Sequence, residues 1–124
     1  MDKATRIHIR HLLWELRSTR RKYKELAYIL SSDEFFRYDC PFVESEETWS
    51  LNKIIFSKLF DQTVRGILQD STSEVNDIFI SKYLQGNPSK ENAIVSHEIN
   101  LSESTVKRRD NELLQEIANR LGWE

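Results

Sequence analysis

The stretch Ile99-Asn100-Leu101-Ser102-Glu103-Ser104-Thr105-Val106-Lys107 decides the fold of the C-terminal part of the chain. Asn100 belongs to a residue type that tolerates the left-handed conformation needed by a sharp turn between helices. Ser102 is a favoured residue at a helix N-cap. The stretch therefore predicts a turn followed by a helix that runs to about Leu121 and ends at Gly122.

A shorter helix is predicted before this turn, over residues 90–98, with Ser89 as its N-cap. Two helices joined in this way would share a small apolar core, with the small side chain of Ser96 at their closest approach. A short helix, a four-residue turn and a longer capped helix are typical of a helix-turn-helix unit, although an ordinary helical hairpin with a solvated polar face gives the same pattern. The predicted core residues are Val95, Ile99, Leu101 and Val106.

The outward positions near the start of the last helix carry residue types that bind DNA. Arginine reads guanine through two hydrogen bonds, asparagine reads adenine, and serine and lysine bind phosphate. Glu103 can contact cytosine or simply stabilise the N-terminus of the helix. The candidate DNA-binding residues are Ser102, Glu103, Ser104, Lys107, Arg108, Arg109 and Asn111.

The quoted stretch resembles the turn and recognition helix of LuxR-type and sigma-factor region 4 domains. The wider arrangement over roughly residues 75–122 is similar to phage late-gene transcription regulators of the ArpU type, with Tyr83-Leu84 before the motif and residues 118–122 after it. The resemblance implies a sigma-region-4-like domain that binds specific double-stranded DNA upstream of phage genes and activates transcription. Three positions depart from the usual pattern: Ser96, Arg109 and Asp110.

The N-terminal part of the chain is predicted to be one long helix over residues 3–30, which contain neither glycine nor proline and carry apolar residues three or four apart. One interpretation is an amphipathic arm that packs on the rest of the chain or on a second copy, as in a homodimer. The alternative is that its basic cluster contacts DNA phosphates. The candidate phosphate contacts are Arg17, Arg20, Arg21, Lys22 and Lys24.

The predicted fold class is all-α, a long N-terminal helix followed by a C-terminal helix-turn-helix bundle. Three segments are expected: a basic helical arm at 1–37, an acidic linker at 38–48, and a helical domain at 49–124 that contains the helix-turn-helix at 90–121.

Three local signals predict where the central helices begin and end. Thr48 can cap a helix over residues 49–69. Ser71 and Glu74 have the spacing of a capping box for the next helix, expected over residues 74–85. Gly86 is then expected as the left-handed residue that ends that helix.

The net charge of −2 hides a segregation along the chain. Residues 1–30 carry a net charge of +5, residues 31–80 a net charge of −6, and residues 81–124 a net charge of −1. The acidic middle can contact a basic partner or offset the basic arm of the same chain. The net figure therefore does not exclude DNA binding, although it predicts weak non-specific affinity.

Other functional classes are disfavoured by the sequence. No run reaches the roughly 18 apolar residues of a membrane span, and the N-terminus does not resemble a signal peptide. Cys40 is the single cysteine, and His8 and His11 lack partners that would complete a metal site. We therefore expect a cytoplasmic protein of a bacterial host that is not an enzyme and has no cofactor or metal.

Two alternatives to a transcription regulator remain open at this point. One is a phage DNA-packaging or assembly subunit whose N-terminal helix builds an oligomer. The other is a sigma-like module that docks on RNA polymerase.

Overall fold

The first helix begins where the side chain of Asp2 caps it. The computed structural model describes residues 1–30, 42–44, 47–49 and 51–123. Helix α1 spans Lys3–Leu30, as the sequence predicts. The Asp2 carboxylate accepts a hydrogen bond from the main-chain N–H of Thr5 at 2.7 Å, and this bond holds the pKa of Asp2 below its ordinary value. The cap satisfies one of the N–H groups that the first turn leaves unpaired.

Two short strands precede the second helix. Strand β1 (Phe42–Glu44) pairs antiparallel with β2 (Glu47–Trp49), and helix α2 follows over Leu51–Gln69. The prediction that Thr48 caps this helix is wrong, because Thr48 lies within β2 opposite Val43. The threonine has the extended backbone that a cap also needs, which is why the sequence alone could not separate the two roles.

The third helix changes its hydrogen-bonding pattern halfway along. Helix α3 covers Ser73–Ile78 and continues directly as a π-helical segment over Phe79–Leu84. Its N-cap is Thr72, whose hydroxyl accepts from the main-chain N–H three residues on at 3.5 Å. The predicted capping box at Ser71 is therefore wrong by one position, because the Ser71 hydroxyl instead donates to the carbonyl of Ile67 at 2.6 Å.

Gly86 follows the π-helical segment for a steric reason. The prediction of a left-handed residue at Gly86 is wrong, since the described glycine with positive φ is Gly122. A Cβ atom at Gly86 would lie 2.0 Å from the carbonyl oxygen of Lys82. Glycine is required here because the backbone passes too close to that carbonyl for any side chain.

The last two helices differ in how well the sequence predicts their ends. Helix α4 spans Asn92–Ile99 with Glu91 at its N-cap, so the predicted cap at Ser89 is wrong by two positions. The N–H of Ser89 is instead bound by the Asn87 side chain at 2.8 Å. Helix α5 spans Glu103–Leu121 and ends at Gly122 with φ 73°, as the sequence predicts.

The chain divides into two compact units. The first consists of Met1–Leu16 and Thr63–Glu124, and the second of Arg17–Gln62. The described residues are all-α apart from the two strands, so the predicted class is confirmed, whereas the boundaries at 37/38 and 48/49 stay predictions. The buried apolar residues of the first unit are Ile9, Leu13, Leu16, Val64, Ile67, Val75, Ile78, Phe79, Tyr83, Val95, Val106, Leu113, Leu114, Ile117 and Ala118.

The second unit contains its own small set of contacts. Ile54 and Phe60 are buried, and the rings of Phe56 and Phe60 stack with their centroids 6.2 Å apart. Arg20 Nε donates to Asp61 Oδ1 at 2.7 Å, which links the second half of α1 to α2.

Candidate nucleic-acid interface

The turn between α4 and α5 is built on Asn100. This residue has φ 57° and ψ 41°, so its predicted left-handed conformation is confirmed. The N–H of Leu101 donates to the carbonyl of Ser96 at 3.3 Å, and the Ser96 hydroxyl donates back to the carbonyl of Leu101. The serine that departs from the family-like pattern therefore adds a hydrogen bond that ties α4 to the turn.

The four apolar positions predicted for the α4–α5 pair lie inside. Val95 and Val106 are completely buried, and Ile99 and Leu101 are half-buried. These side chains fix the two helices against each other through the removal of apolar surface from water. The opposite side of the first turns of α5 is left exposed.

The start of α5 is organised by hydroxyl groups. The Ser102 hydroxyl accepts from the main-chain N–H of Thr105 at 3.2 Å and donates to the Thr105 hydroxyl at 2.7 Å. Its oxygen also lies 3.3 Å from the hydroxyl of Ser104. Glu103 is exposed in the first turn, where the helix dipole favours a negative charge. Ser102 thus already caps the helix in this structure, and the Ser104 hydroxyl lies beside the cap.

Three side chains on the outer face of α5 are available to a ligand. Lys107 and Arg108 are exposed and Asn111 is half-buried. None of the three forms a hydrogen bond or an ion pair with the residues that the structure describes. An open concavity of about 510 Å³ runs along this face, and its described lining is Ser104, Lys107, Arg108, Asn111, Glu112 and Gln115.

Arg109, the third member of the basic triplet, has a different environment. Its Nη1 donates to Glu112 Oε2 at 3.0 Å, and its Nη2 lies 3.7 Å from Glu74 Oε1. The hydrogen bond and charge of Glu112 raise the pKa of Arg109 above its ordinary value. Arg109 would have to leave these carboxylates to reach a phosphate, which sets it apart from Lys107 and Arg108.

Asp110 is the buried centre of an ionic cluster in the first unit. Its side chain is 1 % exposed, and its Oδ2 accepts from Lys82 Nζ at 2.9 Å and from Arg10 Nη2 at 3.1 Å. Its Oδ1 accepts from the hydroxyl of Tyr83. Lys82 Nζ donates in addition to Asn92 Oδ1 at 2.9 Å. Three segments, α1, the π-helical segment and α5, therefore meet at this carboxylate. The start of α4 joins the cluster through Lys82.

The surroundings of this cluster keep the phenol of Tyr83 protonated. Burial raises the pKa of the Tyr83 phenol, and the neighbouring Asp110 carboxylate raises it further. The Trp14 indole N–H donates to the carbonyl of Lys82 at 3.0 Å, and its ring contacts the Tyr83 ring with centroids 5.4 Å apart. A buried carboxylate is tolerated when it is paired and hydrogen-bonded in this way.

Sequence reasoning missed this cluster, although a signal was present. Asp110 stands four residues after Val106 and four before Leu114, both buried, and residues at that spacing share one face of a helix. A carboxylate on an apolar face predicts a buried partner, but nothing local identifies Arg10, which lies 100 positions away.

A second polar network joins the π-helical segment to α4. Lys90 Nζ donates to Glu98 Oε2 at 2.7 Å and to the carbonyl of Ser81 at 2.7 Å. The Ser81 hydroxyl donates to the same oxygen of Glu98 at 2.6 Å. These hydrogen bonds, and most of all the one from Lys90, lower the pKa of Glu98 below its ordinary value. The network holds the loop before α4 in place.

The predicted phosphate contacts on α1 belong to the second unit. Arg17, Arg21 and Lys24 are exposed. Arg20 is engaged by Asp61, and Lys22 is half-buried and has an interaction partner. The cluster thus separates into three outward cations and two that are already in contact.

Two histidines of α1 pack against tryptophan rings. His8 packs against Trp123 with ring centroids 5.4 Å apart, and His11 packs against Trp14 at 5.6 Å. Among the described residues, no three His, Cys, Asp or Glu side chains are grouped to hold a metal ion. In the same part of the chain, no helix combines the length and apolar character needed to cross a bilayer.

The outer face of α5 thus presents Lys107, Arg108 and Asn111 without a partner in the described part of the chain, while the inner face of the same helix is buried. Comparisons with known protein families, curated proteins and solved structures find no match to this chain.

Proposed function

We propose that this protein is a sequence-specific DNA-binding transcription regulator that places α5 in the major groove of double-stranded DNA. The observation that carries the proposal is the pair Lys107 and Arg108, which are exposed and unpaired among the described residues, on the outer face of a helix whose inner face is buried. The resemblance of residues 75–122 to phage late-gene regulators supports a role in phage transcription, with RNA polymerase as a candidate second partner.

The dimensions and residue types of α5 suit this role. An α-helix with its side chains is about 10–12 Å across, and the major groove is about 12 Å wide. Arg108 and Asn111 are three residues apart, or about 4.5 Å along the helix, which is close to the roughly 3.4 Å rise between base pairs. Arg108 would read a guanine and Asn111 an adenine at neighbouring base pairs.

Lys107 has the properties of a backbone contact. Its ammonium is a flexible point charge that suits a phosphate rather than a base edge. In the part of the chain that the structure describes, few unpaired cations flank α5, so we expect modest non-specific affinity and a strong dependence on the correct site. Arg109 contributes to this surface only when its bonds to Glu112 and Glu74 are exchanged for a phosphate.

The test is selection of bound sequences from a random duplex pool, followed by a salt series on the selected site. Arg108→Ala should weaken binding by about 1–3 kcal/mol and relax the preference at one base pair. Lys107→Ala should weaken binding to all sequences and reduce the salt slope by about 1. Arg120→Ala is the matched control, because Arg120 lies at the far end of α5 and is held by Glu116 at 3.0 Å.

Two outcomes would contradict this assignment. One is that no duplex is enriched by the selection. The other is that the double variant Lys107→Ala, Arg108→Ala binds the selected site as tightly as the unchanged chain. A palindromic site would further indicate a dimer, whereas an asymmetric site would indicate a single recognition helix.

A further inference from the structure

The buried ionic cluster and the outer face of α5 lie on opposite sides of the same helix. Successive residues of an α-helix are rotated by about 100°, so Asp110 points about 200° away from Arg108. Arg108 is exposed to solvent, and Asp110 is held inside by donors from α1 and the π-helical segment. Whatever fixes the rotation of α5 at Asp110 therefore fixes the direction of Arg108.

Apolar packing sets which side of α5 faces inward, and the ionic cluster adds directional contacts to it. The other inward residues of α5, such as Val106, Leu113 and Leu114, are buried by a non-directional force. Hydrogen bonds to a carboxylate depend on both distance and angle. A roll of about 10° moves a side-chain tip about 5–6 Å from the helix axis by roughly 1 Å, enough to disturb a two-point contact with guanine.

We propose that Arg10 is a positioning residue for DNA recognition: through its bond to Asp110 it sets the rotation of α5 and so aims Arg108. This inference rests on the proposed function and assigns the first half of α1 to the DNA-recognition unit rather than to a detachable arm. Arg10 suits the role because its guanidinium contacts Asp110 at 3.1 Å while its side chain is still 27 % exposed. When Arg10 is replaced, Lys82 still pairs with the Asp110 carboxylate, so the carboxylate is not left without a counter-ion.

The experiment measures the ratio of affinities for the selected site and for a scrambled duplex of equal length. Arg10→Met keeps the aliphatic stem and removes the donors, and Lys3→Met, on the same helix and exposed, is the control for loss of one charge. Arg10→Met should lower the ratio by about three- to tenfold, part of the discrimination that one bidentate contact supplies. Its affinity for the scrambled duplex should match that of Lys3→Met, because phosphate contacts are unchanged.

Two further variants separate positioning from a general loss of structure. Arg10→Lys retains a donor and a charge, so it should recover part of the ratio. Tyr83→Phe removes only the hydroxyl that binds Asp110 and should lower the ratio in the same direction. All variants are compared at a temperature where circular dichroism shows the native helix content.

The proposal is overturned if Arg10→Met leaves the ratio unchanged, or lowers both affinities by the same factor. It is also overturned if Arg10→Met has its full effect in a chain that already carries Arg108→Ala, since Arg10 is then not acting through Arg108. If the unchanged chain prefers no duplex over another, the proposed function itself fails, and this is seen before any variant is made.

Discussion

Removing the charge of Asp110 should destabilise the fold more than any change on the surface of α5. Asp110→Asn keeps the shape of the side chain but leaves the ammonium of Lys82, whose side chain is 7 % exposed, without its counter-ion. Loss of one partner from a buried ion pair costs about 3–5 kcal/mol. A buried ammonium without a counter-ion can instead lose its proton. For an ordinary lysine at pH 7 this costs about 4.6 kcal/mol, so the loss of stability should not exceed the upper end of the range of about 3–5 kcal/mol.

The assay is urea unfolding followed by circular dichroism and tryptophan fluorescence. A loss of this size is a large part of the roughly 5–15 kcal/mol that holds a small domain together, and it corresponds to a fall in Tm of about 10–20 °C. The matched control is Glu112→Gln, which removes a carboxylate from the outer side of the same helix and should leave the unfolding midpoint nearly unchanged.

A double variant tests the electrostatic origin of the loss. Replacing the pair by apolar residues of similar size, Lys82→Met with Asp110→Leu, should recover part of the stability that Asp110→Asn loses. The recovery is incomplete because the buried Tyr83 hydroxyl is left without its acceptor. The reasoning is refuted if Asp110→Asn costs less than about 1 kcal/mol, below the range for breaking a buried pair. It is also refuted if the double variant is less stable than Asp110→Asn.

Three further changes test local features of the fold. Gly86→Ala should destabilise the fold by about 1–3 kcal/mol, because its Cβ would meet a carbonyl oxygen at 2.0 Å. Gly66→Ala should instead stabilise α2 by about 0.5–1 kcal/mol, because the nearest atom to its Cβ lies at 3.4 Å. Thermal unfolding of the two variants compares these effects. Asn100→Gly should be tolerated whereas Asn100→Val should lower Tm, because a branched side chain opposes φ 57°; equal Tm values for the two would contradict this. Hydrogen bonds, chiefly the one from Lys90, lower the pKa of Glu98 in the folded state. The stability that Glu98 contributes to the fold is therefore complete above its ordinary pKa of 4.5. It is lost as the pH falls through the lower pKa of the folded state. Thermal unfolding should therefore show a smaller acid-induced loss for Glu98→Gln, and an identical pH profile would exclude this contribution.

The sequence predicts those helix ends and turns where only one nearby residue suits the cap or the turn. Helix α5 begins at the hydroxyl of Ser102 and ends at Gly122, and Asn100 makes the turn before it. The wrong caps lie where several suitable residues compete, as with Ser71 and its neighbour Thr72. Local propensity differs too little among such neighbours to choose between them.

The features beyond the reach of sequence reasoning depend on contacts between distant segments. The π-helical segment brings Lys82 and Tyr83 to Asp110, and the pairing with Arg10 exists only after α1 has packed on α5. The same holds for Arg109. In the sequence it is equivalent to Arg108, but in the fold it lies beside Glu74 and Glu112.

The position of Lys82 also gives the folded state a chemical signature. An acylating reagent modifies an amine that it can reach, and the Lys82 amine is buried and hydrogen-bonded to Asp110 and Asn92. Exposed amines such as that of Lys107 should be acylated quickly, whereas Lys82 is acylated only from molecules whose core has opened. Its rate of covalent labelling, read by mass spectrometry, therefore reports the population of opened molecules without any added dye or engineered residue.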